Sequence, residues 1–347
     1  MLFILDEAEG KVNTIIPEQE QKYKQNRNKK IVKYDKNNKT GTKKEQKRLT
    51  LGSKVWFNSV RAIKHLSICL TKCQRDHGTK NGGMIMEVTQ QIKNGIKLAV
   101  CSSGGGHAGG SLSVSDILAS LYGTVMKYDS SNPEWEGRDR LILSKGHSGI
   151  ALYAALAASG FIPFEELASF GAAGSRLMNH PDAHLVPGVE MCTGSLGHGL
   201  SLAVGMALAG QMKGQEYFTY CILGDSECCE GSVWEAAMYA CQKKLKRLVV
   251  IIDQNGIGCD GPLEQMVQME PFGSKWSSFG FKVEETNGHD ADEMNQLFLR
   301  LREERNGPYA VIAHTIKGHG LIREVEGTGA SHYISGTSEA LNEMFAF

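Results

Sequence analysis

Two short apolar runs, each followed at once by polar residues, constrain the fold of this chain more than any other feature. Tyr220–Leu223 leads into Gly-Asp-Ser, with Asp225 at its centre, and Leu248–Ile252 leads into Asp-Gln-Asn-Gly, which contains Asn255. The intervening segment has a helical pattern, so the two runs are predicted to be strands of one parallel sheet. Parallel strands end on the same edge of a sheet, which would deliver Asp225 and Asn255 to one crevice.

Oxygen ligands that meet in such a crevice suit a hard cation. Asp225, Asn255 and one backbone carbonyl would bind Mg²⁺, which keeps its remaining octahedral positions for water and phosphate oxygens. The pattern therefore predicts a magnesium site at the carboxyl edge of the sheet, facing a phosphorylated ligand.

Strands and helices alternate along the rest of residues 84–347. Apolar residues at helical spacing predict helices over residues 88–100, 150–159, 200–210 and 292–304. Short apolar runs predict strands over residues 141–143, 280–284 and 309–314. We therefore predict an α/β fold, a doubly wound parallel sheet with helices on both faces.

Two local features precede the first of these strands. The glycine-rich residues 104–111 predict a flexible loop. A helix over 114–122 is expected to begin at Ser113, with Asp116 three residues later in the spacing of a capping box.

The order of these motifs resembles the thiamine diphosphate-binding domain of transketolases. In that family Gly-Asp-Gly, followed after a typical gap by Asn, holds the metal that holds the cofactor diphosphate. The resemblance assigns the metal ligands to Asp225, Asn255 and the carbonyl of Ile257, and further cofactor contacts to Gly224, Ser226 and Asn255. Ser226 stands where the family has glycine, a residue that permits positive φ and close approach of a phosphate.

Histidines in glycine-rich or irregular stretches form a second group of candidates. A single loop histidine is more often solvated than functional, but three of these lie in motifs similar to those of transketolases. The resemblance implies that His107 and His180 contact substrate oxygens during proton transfer, and that His147 lies against the cofactor diphosphate. Ala108 and Asn179 replace the proline and glycine that the family has beside two of these histidines.

The segment Thr193–Gly199 resembles the family stretch that lines the aminopyrimidine and thiazolium rings, which assigns Gly194, Ser195 and Leu196 to cofactor binding. Taken alone, its glycines could equally form an anion-binding helix start or allow close packing. Near the carboxyl end, the resemblance places one further catalytic histidine at His332.

Two glutamates, Glu230 and Glu235, follow Asp225 on the next predicted helix. Most glutamates on helices are simply solvated. The resemblance implies instead that these two join an interfacial carboxylate network that links paired cofactor sites.

The first 83 residues differ in composition from the rest of the chain. They carry 19 Lys and Arg against 8 Asp and Glu, while the remainder carries 19 against 30, although the whole chain has no net charge. A basic, polar segment with few periodic apolar residues is predicted to be disordered. We interpret residues 1–83 as a leader, or as a misplaced translation start, and do not expect it to bind nucleic acid.

Nine cysteines without the spacing of a zinc site favour a reducing, cytoplasmic location over a disulfide framework. The chain has no apolar run of about 18 residues, so no membrane span is predicted.

The resemblance covers about residues 86–335. A full transketolase continues with a pyrimidine-binding domain, whose glutamate protonates the cofactor ring, and this sequence ends at Phe347. The resemblance thus implies the amino-terminal subunit of a split transketolase, which uses thiamine diphosphate and Mg²⁺ to transfer two-carbon ketol units between sugar phosphates. We expect activity only with a carboxy-terminal transketolase subunit, in a heterotetramer.

Three alternatives remain open from the sequence. A deoxyxylulose phosphate synthase-like or 2-oxoacid dehydrogenase-like subunit would share the Asp225 and Asn255 site, although the histidine set favours transketolase. A dinucleotide-binding dehydrogenase would need a glycine fingerprint that this sequence lacks. A degenerate, non-catalytic subunit is the third, and the sequence does not name the sugar substrate.

Overall fold

The computed structural model describes residues 2–6, 11–15 and 81–347. Strand β1 (Leu2–Asp6) pairs antiparallel with β2 (Lys11–Ile15) in a small sheet of their own. The rest of residues 1–80 lies outside the described part, so the disorder expected for the leader stays a prediction.

Five parallel strands form the central sheet, in the spatial order β4, β5, β6, β8, β7. Because each neighbouring pair is parallel, all five strands end on one edge. Their bounds are β4 (Arg140–Leu143), β5 (Thr219–Gly224), β6 (Leu248–Gln254), β7 (Lys282–Asn287) and β8 (Tyr309–His314).

Helices cover both faces of this sheet, which confirms the predicted α/β fold. None of the helices in the described part of the chain is long and apolar enough to cross a membrane. The helices are α1 (Asn81–Ser103), α2 (Ala108–Ser113), α3 (Ser115–Ser120), α4 (Gly149–Ala158), α5 (His198–Met212), α6 (Gly231–Gln242), α7 (Leu263–Met266), α8 (Phe272–Ser278), α9 (Ala291–Glu304) and α10 (Ser338–Met344).

The central strands are apolar on both faces because each face meets a layer of helices. Along β5, Tyr220 and Ile222 belong to the core shared with α1, α3, α4 and α9, while Cys221 and Leu223 belong to the core shared with α5, α6 and α8. This alternation follows from the two-residue period of a strand. It explains why β5 and β6 read as uninterrupted apolar runs in the sequence.

Two local predictions were wrong. The glycine-rich stretch is not a flexible loop: β3 (Gly105–Gly106) pairs with β9 (Ile334–Ser335), and α2 follows with all of its residues buried. The capping box at Ser113 does not form either, since the Ser113 hydroxyl donates to the buried carboxylate of Asp253, 2.7 Å away. Tertiary contacts decide both cases, because small residues here allow close packing beneath the site.

Two glycines of α5 make a matched test of that packing. A Cβ at Gly199 would lie 2.7 Å from the Cα of Ser144 at the end of β4, whereas at Gly205 it would meet no heavy atom of the described chain within 4 Å. We expect Gly199→Ala to lower the free energy of unfolding by about 1–3 kcal/mol, because the helix must move off the strand. Gly205→Ala should raise it by up to about 1 kcal/mol. Equal effects in urea unfolding would contradict the close approach.

Candidate active site

The ends of β5 and β6 form the floor of the candidate site. Gly224 lies beside Asp253 in the strand register, so Asp225 and Asn255 follow at the same edge, as the sequence predicts. Asp225 is buried and accepts hydrogen bonds from the backbone N–H of Gly256 at 2.6 Å and of Ser226 at 2.7 Å. Burial and the nearby carboxylate of Asp253 raise the pKa of Asp225 to about 6.

The loop after β6 carries the other two predicted metal ligands. The side-chain amide of Asn255 donates to Asp253 at 3.0 Å, which leaves its oxygen to accept from the N–H of Ile257 at 3.1 Å. The Ile257 carbonyl accepts from the ammonium of Lys317 at 2.8 Å. The three predicted metal ligands thus lie on two adjacent loops at one strand edge.

Ser226 fits the backbone that this chain adopts. It begins a short 3₁₀ helix after Asp225, which has right-handed helical dihedrals. Ser226 is not among the described non-glycine residues with positive φ. A side chain here therefore causes no backbone strain, and the departure from the family glycine is sterically accommodated.

Three histidine rings meet above this floor. The ring centroids of His107 and His147 are 5.3 Å apart, those of His107 and His332 are 5.3 Å apart, and those of His147 and His332 are 5.4 Å apart. Tyr333 lies edge-on to His107 at 4.9 Å. Because His107 and His332 lie more than 200 residues apart in the sequence, the cluster exists only in the folded protein.

The electrostatic surroundings keep these rings uncharged. Burial, then the charge of Lys145, lowers the pKa of His147 to about 3. Burial, then Lys317, lowers the pKa of His332 to about 4. The pKa of His107 is also lowered, by burial and then by His180 and Lys317. At neutral pH each of these uncharged imidazoles therefore has one ring nitrogen that can accept a hydrogen bond.

His180 lies against the predicted cofactor loop. A Cβ at Gly194, which has φ of +151°, would lie 2.9 Å from the Cγ of His180. Ser195 and Leu196 of the same loop are exposed. This side of the site is open, in contrast to the buried floor.

Two lysines and an aspartate form a part of the site that sequence reasoning missed. Asp253 is fully buried and forms an ion pair with Lys145, while Ser113, Asn255 and Thr315 also donate to it. Burial alone would raise the pKa of Asp253, but Lys145 and the hydroxyls of Thr315 and Ser113 hold it below its usual value. Burial, then Lys145, lowers the pKa of Lys317 to about 8.

The Lys145–Asp253 pair gives a stability prediction. Lys145→Met should lower the free energy of unfolding by about 3–5 kcal/mol, because it leaves a buried carboxylate unpaired. Adding Asp253→Asn should restore much of that loss, and the exposed Lys127→Met is the control. The contribution of the pair is present above the unfolded pKa of about 4 and is lost as pH falls through the lower folded pKa. The difference between wild type and Lys145→Met should therefore narrow on acidification in denaturant titrations, and a gap that widens would contradict the pairing.

Glu227 is a further residue that the sequence did not reveal. It is buried, and it accepts from the N–H of Gly197 at 2.8 Å, the N–H of Gly224 at 3.1 Å and the hydroxyl of Ser144. It thus joins the ends of β4 and β5 to the start of α5.

The two predicted interface carboxylates lie close to this buried glutamate in the chain but differ from it in environment. Glu230 immediately precedes α6 and Glu235 lies within it, and both side chains are exposed. Their place in a contact between cofactor sites stays a prediction.

Comparison with known proteins agrees with this geometry. The family described as "Transketolase, thiamine diphosphate binding domain" matches residues 88–342. The chain is 44% identical over 236 residues to the 6-deoxy-6-sulfo-D-fructose transketolase subunit SqwG of Clostridium sp. (strain MSTE9), covering 68% of this chain and 86% of that protein. It is 40% identical over 256 residues to one of the apulose-4-phosphate transketolase subunits, from Phocaeicola vulgatus, covering 73% and 90%.

The chain belongs to the transketolase family. Among solved structures, the transketolase of Leishmania mexicana superimposes with a TM-score of 0.69 at 30% identity, over 75% of this chain and 40% of that one. Residues 88–342 are therefore a transketolase thiamine diphosphate-binding domain, and the function of the chain is that of a transferase subunit with thiamine diphosphate and a divalent cation as cofactors.

The residues at the strand edge fit this cofactor. A buried carboxylate, an amide oxygen and a carbonyl oxygen are the ligand types of a hard cation, and the ammonium of Lys317 beside them suits an anionic diphosphate. Three buried polar atoms around the crevice have no hydrogen-bond partner within the described chain: the hydroxyls of Ser148 and Thr193 and Nδ1 of His332. Such atoms are costly unless a ligand or water satisfies them.

Proposed function

We propose that this chain is the amino-terminal subunit of a transketolase made of two polypeptides. It transfers a two-carbon ketol unit from a ketose or ketose phosphate to an aldose. The observation that carries this proposal is the cluster of His107, His147 and His332 above the edge where Asp225 and Asn255 meet. Binding of a nucleotide at this edge would not require three uncharged imidazoles.

In this proposal Asp225, Asn255 and the Ile257 carbonyl hold the divalent cation. Gly224, Ser226 and Asn255 contact the diphosphate, and His147 lies against it. The rings of the cofactor are lined by Gly194, Ser195 and Leu196. When bound, thiamine diphosphate supplies the electron sink that allows a carbon–carbon bond to break and form.

His107, His180 and His332 act on the substrate. Because burial keeps His107 and His332 uncharged, each can accept a hydrogen bond from a sugar hydroxyl and so orient that hydroxyl for proton transfer. His180 is exposed, which suits a residue that meets an incoming sugar.

The proposed substrates are sugars that carry an anionic group. We expect phosphorylated sugars as substrates. Because relatives are named for 6-deoxy-6-sulfo-D-fructose and for apulose 4-phosphate, sulfonated and branched sugars are further candidate substrates. Each of these carries an anionic group that must be bound away from the reacting carbons.

A carboxy-terminal transketolase subunit is the proposed partner, in a heterotetramer. The exposed loop at Ser195 and Leu196 and the exposed side chains of Glu230, Glu235 and Met238 support a covering partner on this side. The relatives of comparable length are themselves named as subunits. The carboxylates Glu230 and Glu235 then belong to the contact between cofactor sites.

We also propose residues 84–347 as the cofactor-binding domain and residues 1–83 as a dispensable, basic leader. The family match to residues 88–342 supports this boundary. A cytoplasmic location is proposed as well, supported by the free thiols of the seven cysteines in the described part.

Cofactor binding tests the proposal. Calorimetry with the purified chain should show thiamine diphosphate binding in the presence of Mg²⁺ and lose it when EDTA removes the cation. NAD⁺ is the control ligand and should not bind. Failure to bind thiamine diphosphate, both alone and with the partner present, would favour a degenerate, non-catalytic chain.

A further inference from the structure

A second cluster of metal-ligating side chains lies beside the cofactor crevice. The ligand atoms of Asp182, His184 and Cys192 all lie within 4.8 Å of one another. Asp182 follows His180 by two residues, and Cys192 precedes Gly194 by two. The cluster therefore connects the loop of a proposed substrate histidine with the loop of the proposed cofactor contacts.

The sulfur and oxygen ligands of the cluster have nearly the spacing that a small tetrahedral ion requires. The Sγ of Cys192 lies 3.4 Å from Oδ1 of Asp182. In a tetrahedral zinc site, with Zn–S of about 2.3 Å and Zn–O of about 2.1 Å, the sulfur and oxygen ligands are about 3.6 Å apart. Little movement is needed for one ion to bind both.

The local backbone holds the cluster in place. The N–H of His184 donates to Oδ1 of Asp182 at 2.8 Å, and the N–H of Thr193 donates to the carbonyl of Pro181 at 3.4 Å. The hydrogen bond from His184, and then that from Cys192, lower the pKa of Asp182. The carboxylate is thus ionised at neutral pH and ready to bind a cation.

Another group of histidine and aspartate side chains in the described chain lacks this capacity. Nε2 of His289 accepts the N–H of Ile316 at 2.8 Å, so its Nδ1 must carry the proton that faces Asp116, 2.8 Å away. Both ring nitrogens of His289 are therefore engaged and cannot bind a metal. His184, by contrast, is exposed.

We propose that Asp182, His184 and Cys192 form a binding site for a thiophilic divalent cation, of which zinc is the prime example. A thiolate, an imidazole and a carboxylate are zinc ligands, and the exposed fourth position remains for water. The bound ion ties the two loops together at the mouth of the crevice. Mg²⁺ does not compete, because it prefers oxygen ligands alone.

Cobalt tests the site because a cobalt–thiolate bond has its own charge-transfer absorption. The full chain, stripped of metal and kept reduced in saturating Mg²⁺, is titrated with Co²⁺ and then with Zn²⁺. We expect one equivalent of Co²⁺, a thiolate charge-transfer band, and displacement by Zn²⁺. Zn²⁺ should also slow amide hydrogen exchange in residues 182–193.

Matched variants locate the ligands. Cys192→Ser should abolish the band, and His184→Ala and Asp182→Asn should each weaken binding at least tenfold. The control is Cys241→Ser, at the opposite end of the strands beside Gly280 and Pro308, which should bind as wild type does. Absence of the band in the wild type, or an unchanged band in Cys192→Ser, would overturn the proposal. Circular dichroism checks that each variant is folded.

Discussion

The purified chain, given thiamine diphosphate, Mg²⁺, a ketose phosphate donor and an aldose acceptor, is expected to show no ketol transfer above background. Adding a second polypeptide with a pyrimidine-binding domain should raise turnover by about a thousandfold or more, the scale of a missing general acid. We expect the partner to be needed because the site is covered on one side only. Its floor is buried, but Ser195, Leu196 and Tyr333 remain exposed on the open side, where the partner would complete the site.

The control for this experiment separates assembly from chemistry. A partner whose ring-protonating glutamate is replaced by glutamine should form the same complex in size-exclusion chromatography without restoring turnover. The panel of donors should include phosphorylated, sulfonated and branched ketoses. Full turnover by the single chain would contradict the two-polypeptide proposal.

Replacing Asp225 by alanine is expected to reduce Mg²⁺-dependent affinity for thiamine diphosphate at least a hundredfold, about 2.7 kcal/mol. The change removes the only carboxylate of the proposed ligand set and leaves the cation with Asn255 and a carbonyl. It also frees the N–H groups of Ser226 and Gly256, whose hydrogen bonds Asp225 accepts. Calorimetry in Mg²⁺ measures the effect.

Asp292→Ala is the matched control, since Asp292 is exposed in the first turn of α9. It should bind the cofactor as wild type does. Because Asp225→Ala also loses backbone hydrogen bonds, Asp225→Asn serves as a second variant that keeps the shape of the side chain. Wild-type affinity in both Asp225 variants would refute the assignment of this residue as a metal ligand.

The sequence revealed the parts of the site that lie in continuous motifs. Asp225 and Asn255 were predicted to share an edge because apolar runs mark parallel strands, and parallel strands end together. His107 and His147 stand in local motifs similar to those of the family, and His332 in the region where the family has a further histidine, although only the fold shows that their rings meet. The parallel α/β architecture followed from alternating apolar patterns, which report local structure well.

The residues that were missed act through contacts between distant segments. Lys145 and Asp253 pair across 108 positions, and Glu227 reads in the sequence as one more acid after Asp225. The sequence pattern predicts that the hydroxyl of Ser113 caps the next helix, because only nearby residues enter that prediction. In the fold this hydroxyl donates instead to the buried carboxylate of Asp253. A charged residue at the end of a fully apolar strand is the signal that could have drawn attention to Asp253.

The contact between Lys317 and Ile257 leads to the most direct test of the metal site. Here the Lys317 ammonium lies 2.8 Å from the Ile257 carbonyl and 2.7 Å from that of Gly258. If Ile257 is a metal ligand, the charge of the cation should repel the ammonium of Lys317, and we expect Lys317 to turn from the Ile257 carbonyl toward the anionic diphosphate.

A crystal structure of the chain with thiamine diphosphate and Mn²⁺, with the ion located by anomalous scattering, measures this exchange. We predict one ion within about 2.0–2.3 Å of oxygens from Asp225, Asn255 and Ile257, the range for small hard cations, with Lys317 displaced from the Ile257 carbonyl. An ion bound elsewhere, or an ion that lacks one of these three oxygens among its ligands, would contradict the assignment.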